Sequence, residues 1–366
     1  CYHLYFWFLV EKNMPQGFEI NGRRITSKAP PYVIAEMSAN HNGDIKNAFA
    51  IIDMAKRCGA DAVKMQTYSP DTITVSSNKR DFLIEEGLWR GNTLHELYAL
   101  AYTPWDWHAD LFEHARNIGI TIFSSPFDHS AVDLLESLNA PAYKIASFEC
   151  IDLPLIRRAA LTKKPLIIST GMANEVEIQE AVDTALEYGC GDLALLHCVS
   201  AYPAKAKDYN LATLRDMRER FDVHVGLSDH TLDNITAIAS VSLGAALIEK
   251  HVTLDRNGGG ADDSFSLEEN ELKWLKKNSV TAWEAQGEVS YERAESEKRN
   301  KKFRRSLYFV KSMKVGDVIT EQDIRSIRPG YGLPPKYFDV IVGKRVCQDV
   351  DIHTPVTEDS VCLGEE

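Results

Sequence analysis

Eight short apolar runs, each ending in a polar residue, dominate the sequence from residue 32 to residue 251. They cover 32–36, 62–66, 121–125, 143–147, 166–170, 193–197, 223–228 and 247–251. Short apolar runs bounded by turn residues are typical of buried parallel strands. Segments with helical spacing separate them; in 44–58, Ala48, Ile51, Ile52 and Ala55 share one face. The pattern predicts eight strand–helix units in succession.

Eight such units within about 260 residues predict a (β/α)8 TIM barrel of the α/β class. An open, doubly wound sheet is the alternative, but no G-x-G-x-x-G motif follows the first run. The interval between the second and third runs is longer than the others. It predicts an insertion of roughly 35 residues after the second strand.

The sequence changes character on both sides of this region, which we assign as a barrel over 18–288. Residues 289–305 are densely charged and predict a linker or an exposed helix; we assign them as a linker. Residues 306–361 carry short apolar runs broken by Gly and Pro turns, which predict a small second domain. Residues 1–17 contain an apolar run that is too short to span a bilayer. We expect them to be an extension outside the fold, disordered or not native, with translation starting at Met14.

Charge and cysteine content narrow the functional classes. A net charge of −12 without a long basic run argues against binding of nucleic acids or membrane surfaces. An anionic small molecule can still bind if a few cationic side chains converge on one pocket. The seven cysteines include no C-x-x-C pair, which predicts buried free thiols in a reducing compartment. We therefore expect a soluble, cytoplasmic protein.

Polar side chains gather at the carboxyl ends of the predicted strands, where barrel enzymes carry their chemistry. Lys64 and Lys144 alternate with apolar neighbours and are expected to point into the barrel. Buried lysines are rare unless paired or functional, and hydroxyl groups lie at several strand ends, so a phosphate or carboxylate site is predicted. The alternative is structural: each lysine would pair with Glu36 or Glu149 and only hold the barrel together.

Two histidines lie at matching positions. His230 and His251 end the seventh and eighth strands, which are neighbours in a closed barrel. Their imidazoles should lie side by side at one rim, an arrangement suited to a divalent metal. With carboxylate and water as further ligands, Mn²⁺ or Mg²⁺ is favoured over structural zinc, and Co²⁺ is compatible. Each histidine could instead be a neutral, hydrogen-bonded core residue.

Six motifs occur in the order in which the sialic acid synthase family carries them. They are Ala35-Glu36 with 40–43, then 64–67, 143–147, 169–172, 226–230 and 249–251. On these motifs the chain resembles that family from about residue 18 to residue 361. The segments 304–307, 328–330 and 343–344 resemble its carboxyl-terminal antifreeze-like (SAF) domain. The insertion after the second strand is most similar to that of the branch that forms pseudaminic acid.

The resemblance implies a transferase that forms a carbon–carbon bond. Members of the family condense phosphoenolpyruvate and water with an open-chain acetamido sugar, giving a nine-carbon 2-keto acid and phosphate. The pseudaminate branch implies 2,4-diacetamido-2,4,6-trideoxy-altrose as the sugar. The branches that form N-acetylneuraminate and legionaminate share the chemistry and stay open as alternatives.

Carried over position by position, the resemblance also implies roles for single residues. Phosphoenolpyruvate would bind Lys64, Lys144, Ser147, Ser169 and Ser228. The residues implied to be catalytic are Glu36 near the metal and the sugar, Glu149 as the proton-handling carboxylate, and the metal ligands His230 and His251. The sugar would contact Tyr202, Asp262 (or Asp263) and Arg328. An arginine at 328 implies a domain-swapped homodimer, in which it reaches into the partner subunit's barrel.

Two other functions stay open. A Schiff-base aldolase would use Lys64 or Lys144 to condense pyruvate with a sugar, although the histidine pair and the second domain argue against it. A carbohydrate- or ice-binding protein without enzymatic activity would use the small domain and would leave the polar strand ends unexplained.

Overall fold

The computed structural model describes residues 16–87 and 89–362, and eight parallel strands in it close into a barrel. A hairpin of β1 (Phe18–Ile20) and β2 (Arg23–Ile25) precedes it. The barrel strands are β3 (Tyr32–Glu36), β4 (Ala62–Thr67), β5 (Thr121–Pro126), β6 (Tyr143–Ile145), β7 (Leu166–Ser169), β8 (Leu193–Cys198), β9 (His224–Asp229) and β10 (Leu247–His251). Parallel pairing of β10 with β3 closes the ring. The predicted barrel is confirmed and the open sheet is excluded.

Helices follow the barrel strands as the strand–helix pattern predicts. Those of the barrel unit are α1 (Ile45–Cys58), α4 (His108–Ile118), α5 (His129–Ser137), α6 (Leu153–Ala160), α7 (Glu175–Glu187), α8 (Thr213–Phe221), α9 (Ile235–Ser242) and α10 (Glu269–Gln286). Two more, α2 (Pro70–Ile73) and α3 (Leu94–Ala101), belong to the insertion between β4 and β5. The insertion therefore lies at the carboxyl end of a barrel strand, on the side where the polar strand ends meet.

Local chemistry explains where α1 begins and ends. The Asp44 side chain accepts a hydrogen bond from the backbone N–H of Lys46 at the start. Gly59 follows the helix with φ +79°, a left-handed conformation that glycine adopts without strain. Ile51 and Ile52 on its inner face are fully buried. The helix is therefore capped at both ends and fixed by burial of the predicted apolar face.

The amino-terminal hairpin was not predicted from the sequence. Its turn is Asn21-Gly22, and both residues have positive φ, as a tight two-residue hairpin turn requires. Phe18, Ile20 and Ile25 are buried in one cluster with inward apolar side chains of the barrel. The hairpin thus packs against the amino-terminal end of the barrel, away from the polar strand ends. The predicted extension lies outside the described residues up to residue 15, whereas the carbonyl oxygen of Gln16 already accepts a hydrogen bond from His224.

The chain divides into two compact units between Gly287 and Glu288. The second unit contains α11 (Glu295–Lys298), an antiparallel pair of β11 (Ser306–Phe309) and β12 (Ile324–Ile327), and α12 (Phe338–Ile341). Its core is small and is formed by Leu307, Phe309, Met313, Ile319, Ile324, Ile341, Val346, Val350, Val356 and Val361. The linker and domain limits drawn from the sequence stay predictions.

The cysteines from position 58 to position 362 divide into two groups, and Cys1 lies outside the described residues. Cys347 and Cys362 form a disulfide in the second unit, with their Cα atoms 5.2 Å apart. The prediction of free thiols throughout is therefore wrong for this pair. The absence of C-x-x-C spacing does not exclude a bridge between cysteines that lie farther apart in the sequence. The free, buried thiols are Cys58, Cys150, Cys190 and Cys198.

Across the described residues, no helix combines the length and the apolar character that a membrane span needs. The cytoplasmic location stays a prediction.

Candidate active site

One cavity of about 450 Å³ lies at the carboxyl ends of the barrel strands. Its lining includes the predicted site residues of the barrel unit: Glu36, Lys64, Lys144, Ser147, Glu149, Ser169, Tyr202, Ser228, His230, His251 and Asp262. Arg328 lies in the second unit, directly after β12, and is exposed. The barrel therefore brings together side chains that are far apart in the sequence, while the role of Arg328 stays a prediction.

Two lysines and two carboxylates form a buried ion-pair cluster on the cavity floor. Lys64 Nζ lies 2.8 Å from Glu36 Oε2 and 3.8 Å from Glu249 Oε2, and Lys144 Nζ lies 3.6 Å from Glu249 Oε1. None of the four residues is more than 4% exposed. The lysines are paired, as the structural interpretation requires. However, Lys144 pairs with Glu249 instead of Glu149, and both lysines line the cavity.

The pKa values of the side chains in this cluster shift in different directions. Burial would lower the pKa of Lys64, but the flanking Glu249 and Glu36 raise it overall, so this lysine stays protonated. Burial and the charge of Glu249 raise the pKa of Glu36, although Lys64 opposes this. Burial also acts on Glu249, but the two lysines lower its pKa. Glu36 is thus the carboxyl of the pair that takes up a proton first. Burial lowers the pKa of Lys144, although the charge of Glu249 opposes this, so the two lysines differ in how firmly they hold their protons.

Glu249 is the main residue that the sequence analysis missed. It lies two positions before His251 on β10, so the alternation of side chains in a strand directs both into the barrel. Its Oε1 accepts a hydrogen bond of 2.9 Å from Ser228 Oγ. Lys250, between them, points the other way and pairs with Asp229 at 3.0 Å. The alternation of inward and outward side chains along β10 was the sequence signal that could have identified Glu249.

Unpartnered polar atoms mark the region beside the lysines. Ser169 Oγ and Glu149 Oε2 are buried and have no hydrogen-bond partner. Ser147 Oγ accepts a hydrogen bond of 3.2 Å from the backbone N–H of Gly171. Since a buried polar group without a partner is unfavourable, a polar ligand in the cavity would satisfy these atoms.

Glu149 has the proton affinity of an acid–base group. Burial raises its pKa to about 7, against the opposing effects of its own backbone N–H and of Lys144, while Asp152 raises it further. A carboxyl group with a pKa near neutrality can both take up and release a proton at working pH. This property is consistent with the proton-handling role that the resemblance implies.

The histidine pair has the arrangement that the strand ends predict. The ring centroids of His230 and His251 are 5.4 Å apart. His230 Nδ1 lies 2.8 Å from the carbonyl oxygen of Val199, to which it must donate, so in the neutral ring Nε2 carries the lone pair. Although burial opposes it, the neighbouring Cys198 raises the pKa of His230, so a metal ion would have to displace a proton from this ring. His251 Nδ1 is buried without a hydrogen-bond partner. Burial and the charges of His230 and Lys64 hold the pKa of His251 well below its usual range, which keeps its imidazole neutral.

These features fit a divalent cation that is bound by two histidine ligands and keeps its other coordination positions open. Neutral imidazoles with a free nitrogen are ligands for such ions. Within residues 16–87 and 89–362, no group of three or more His, Cys, Asp and Glu side chains is arranged to hold a metal ion. The remaining positions would fall to water, to substrate or to the nearest carboxylate, Asp262, whose Oδ2 lies 3.7 Å from His251 Nδ1.

A hydrogen-bond chain joins Asp262 to Glu36 across the cavity rim. Ser38 Oγ donates to Asp262 Oδ2 at 2.5 Å, and Gln66 Nε2 donates to both Ser38 Oγ and Glu36 Oε1 at 3.1 Å. Ser38 has φ +46°, a left-handed backbone conformation that is uncommon for serine. Asp263 instead accepts from Thr253. Asp262 is therefore the aspartate that lines the cavity, and Ser38 and Gln66 join the residues that the sequence analysis missed.

Aromatic side chains line the part of the cavity next to His230 and His251. The Tyr202 ring lies 4.3 Å from His230 and 5.2 Å from Phe265, centroid to centroid. Trp89, from the insertion, lies 6.3 Å from Tyr202 and donates its indole N–H to the carbonyl oxygen of Ala261 at 3.3 Å. The insertion thus spans the mouth from β4 to the loop that follows β10.

Comparison with known proteins identifies the family. The NeuB family profile matches residues 51–291, and the SAF domain profile matches 304–361. A pseudaminic acid synthase of Helicobacter pylori is 41% identical over 336 residues, which are 91% of this chain and 98% of that protein. An N,N'-diacetyllegionaminic acid synthase of Campylobacter jejuni is 35% identical over 85% of this chain and 94% of that protein.

A solved structure supports the same assignment. The N-acetylneuraminic acid synthetase of Leptospira borgpetersenii, crystallised with citrate, superimposes with a TM-score of 0.71 at 28% identity. The superposition covers 78% of this chain and 95% of that one. The resemblance to the sialic acid synthase family is thereby confirmed, and the chain belongs to the NeuB family, with a SAF domain in its second unit.

Proposed function

We propose that this protein is a pseudaminic acid synthase. It condenses phosphoenolpyruvate and water with 2,4-diacetamido-2,4,6-trideoxy-altrose, giving pseudaminic acid and phosphate. The observation that carries the proposal is the buried cluster of Lys64, Lys144 and Glu249 in one cavity with Glu149 and the histidine pair. The branch is supported by identity, which is 41% to a pseudaminic acid synthase and 35% to a legionaminic acid synthase.

Phosphoenolpyruvate binds on the lysine side of the cavity. Its phosphate and carboxylate interact with Lys64 and Lys144, and Ser169 Oγ supplies a hydrogen bond that it does not make within the protein. Ser147 and Ser228 line the cavity beside the lysines. Ser147 can donate its hydroxyl hydrogen to the ligand, whereas Ser228 directs its own to Glu249 and can accept. The buried lysines gain strength as anion ligands because little water competes with them.

The reaction forms one carbon–carbon bond and uses one side chain of the protein, Glu149, to handle a proton. C3 of phosphoenolpyruvate attacks the aldehyde carbon of the sugar, and positive charge develops at C2. Water adds to C2 and gives one proton to Glu149, which passes it on to the new alkoxide, the former aldehyde oxygen. As the tetrahedral product expels phosphate, the C2–O bond to phosphate breaks and the phosphate takes the remaining proton of the C2 hydroxyl, so that the 2-keto group forms. Lys64 and Lys144 stabilise the departing charge. When bound, a divalent cation would supply Lewis acidity toward the sugar carbonyl, and His230 and His251 would hold it.

The experiment for the function measures phosphate release from phosphoenolpyruvate with Mn²⁺ present. Three sugars are offered in parallel: the altrose-configured diacetamido sugar, the manno-configured diacetamido sugar and N-acetylmannosamine. We expect release with the first, together with the mass of the nine-carbon acid. Release with either other sugar alone would move the enzyme to a sister branch. If no sugar supports release, while borohydride traps a pyruvate adduct on a lysine, the protein is a Schiff-base aldolase.

Glu149→Gln tests the proton-handling role. Because the carboxylate is the form that accepts the proton, kcat/KM of the wild type should rise as pH increases through about 7 and level off above it. The variant should lose about 10²- to 10⁴-fold in kcat and should lack this limb. Glu187→Gln, on the exposed face of α7, is the matched control and should keep both. A variant that retains the limb would assign it to another group.

The cation proposal, Mn²⁺ or Mg²⁺ with Co²⁺ also compatible, is tested by binding as well as by activity. Chelator should abolish phosphate release, and Mn²⁺ should restore it. Calorimetric titration should show one Mn²⁺ site in the wild type, lost in His230→Ala and in His251→Ala. His129→Ala removes an exposed histidine and should bind normally. Full activity of enzyme that contains no metal would refute the proposal.

A domain-swapped homodimer, with Arg328 supplied to the partner subunit's site, completes the proposal. Arg328→Ala and Lys144→Ala chains should each be inactive alone. After subunit exchange in equal amounts, half of the dimers are hybrids with one intact site each, so about one quarter of wild-type activity should return. Exchange that is verified by mass but restores nothing would argue against action in trans.

A further inference from the structure

One wall of the cavity is apolar, and the insertion between β4 and β5 forms it. Its side chains are Ile73, Ile84, Leu94, Leu97, Ala101 and the ring of Tyr98, whose hydroxyl is the polar group among them. The polar side chains of the strand ends form the opposite side, so the two walls differ sharply in character. The mechanism above uses the polar wall and assigns nothing to the apolar one.

The apolar wall is built with regular spacing. Leu94, Leu97, Tyr98 and Ala101 occupy positions i, i+3, i+4 and i+7 of α3, so they share one helix face. Leu100, on the other face, is 72% exposed. A capping box fixes the start of this helix, because Thr93 Oγ1 accepts from the backbone of Glu96 and the Glu96 carboxylate accepts from that of Thr93.

Contacts with the barrel hold the wall in place. The ring of Tyr98 packs edge-on against Tyr68, with centroids 5.6 Å apart, and Tyr68 in turn packs on Phe127 at 5.1 Å. At its other end, Trp89 is hydrogen-bonded to Ala261, next to Asp262. The wall is therefore attached to the barrel near Phe127 and near Asp262, and it lines the same cavity as the lysines, in which the sugar would lie.

We propose that this wall, with Leu97 at its centre, determines substrate specificity by selecting a sugar whose C6 is a methyl group. The assignment rests on the proposed function and names the feature of the sugar that the site reads. A C6 hydroxyl placed against Leu94 and Leu97 would lose its hydrogen bonds to water, and these two side chains offer no replacement. A methyl group at C6 carries no such penalty and packs against them. The indole N–H of Trp89 is already bonded to Ala261.

The size of the effect follows from how apolar pockets discriminate. Such a pocket rejects an isostere with an added hydroxyl only by about 10²-fold, because water and small shifts relieve part of the mismatch. We therefore expect kcat/KM to be about 100-fold higher for 2,4-diacetamido-2,4,6-trideoxy-altrose than for its counterpart with a hydroxyl group at C6.

The test compares these two sugars on wild type and on variants of one helix. Leu97→Asn places a hydrogen-bonding side chain in the wall and should reduce the preference to about tenfold or less, mainly by loss of activity on the deoxy sugar and gain on the hydroxylated one. Leu94→Asn, one turn earlier, provides a second variant if the first does not fold, as judged by circular dichroism. Leu100→Asn, on the exposed face of the same helix, should keep the wild-type preference.

The outcomes separate this inference from the proposed function. A wild type that uses both sugars equally well would overturn the inference and leave the synthase activity intact. An unchanged preference in folded Leu97→Asn and Leu94→Asn would do the same. If the wild type releases phosphate with neither sugar, the proposed function itself fails, and the assignment of the wall fails with it.

Discussion

The ion pairs between Lys64, Lys144 and Glu249 are the constraint on which the rest of the site depends. Taking a lysine out of water is strongly unfavourable unless a partner compensates it, and removing one partner of a buried pair usually destabilises a protein by several kcal/mol. Glu249 lies within 4 Å of both lysines and holds them close to each other despite their mutual repulsion. The barrel therefore holds two lysine side chains in a place with little water, where they are already oriented toward an anionic ligand.

The closed barrel makes this arrangement foreseeable in part. Strand alternation places Lys64, Lys144, His230 and His251 on the inner side, and ring closure brings the last strand beside the first. The eight strands and the shared cavity could thus be predicted from apolar runs and their polar ends. Glu249 obeys the same rule, because it lies two positions before His251 on the same strand and therefore points inward with it.

Other features could not be obtained in this way, because they depend on contacts between distant segments. The strained backbone of Ser38 is fixed by Asp262, which lies 224 positions further along the chain. The Cys347–Cys362 bridge depends on how the loops of the second unit meet. The hairpin at Asn21-Gly22 did have a local signal, the Asn-Gly pair itself, yet its strands (Phe-Glu-Ile and Arg-Arg-Ile) are only three residues long and fall below the length that periodicity can detect.

The two walls of the cavity separate chemistry from selection. The polar wall is made of strand ends, whose positions are fixed by the hydrogen bonds of a closed sheet, so its groups keep the geometry that a reaction requires. The apolar wall is carried by a connecting segment that leaves β4 and returns to β5, and such a segment can change its side chains without disturbing the sheet. A barrel built in this way can keep one condensation reaction while the inserted helix sets which sugar enters. Tyr98 of this helix contacts Tyr68 directly after β4, and Trp89 of the same insertion is bonded to Ala261 in the loop after β10, so the segment is joined to the barrel on both sides of the cavity while its other side chains remain free to vary.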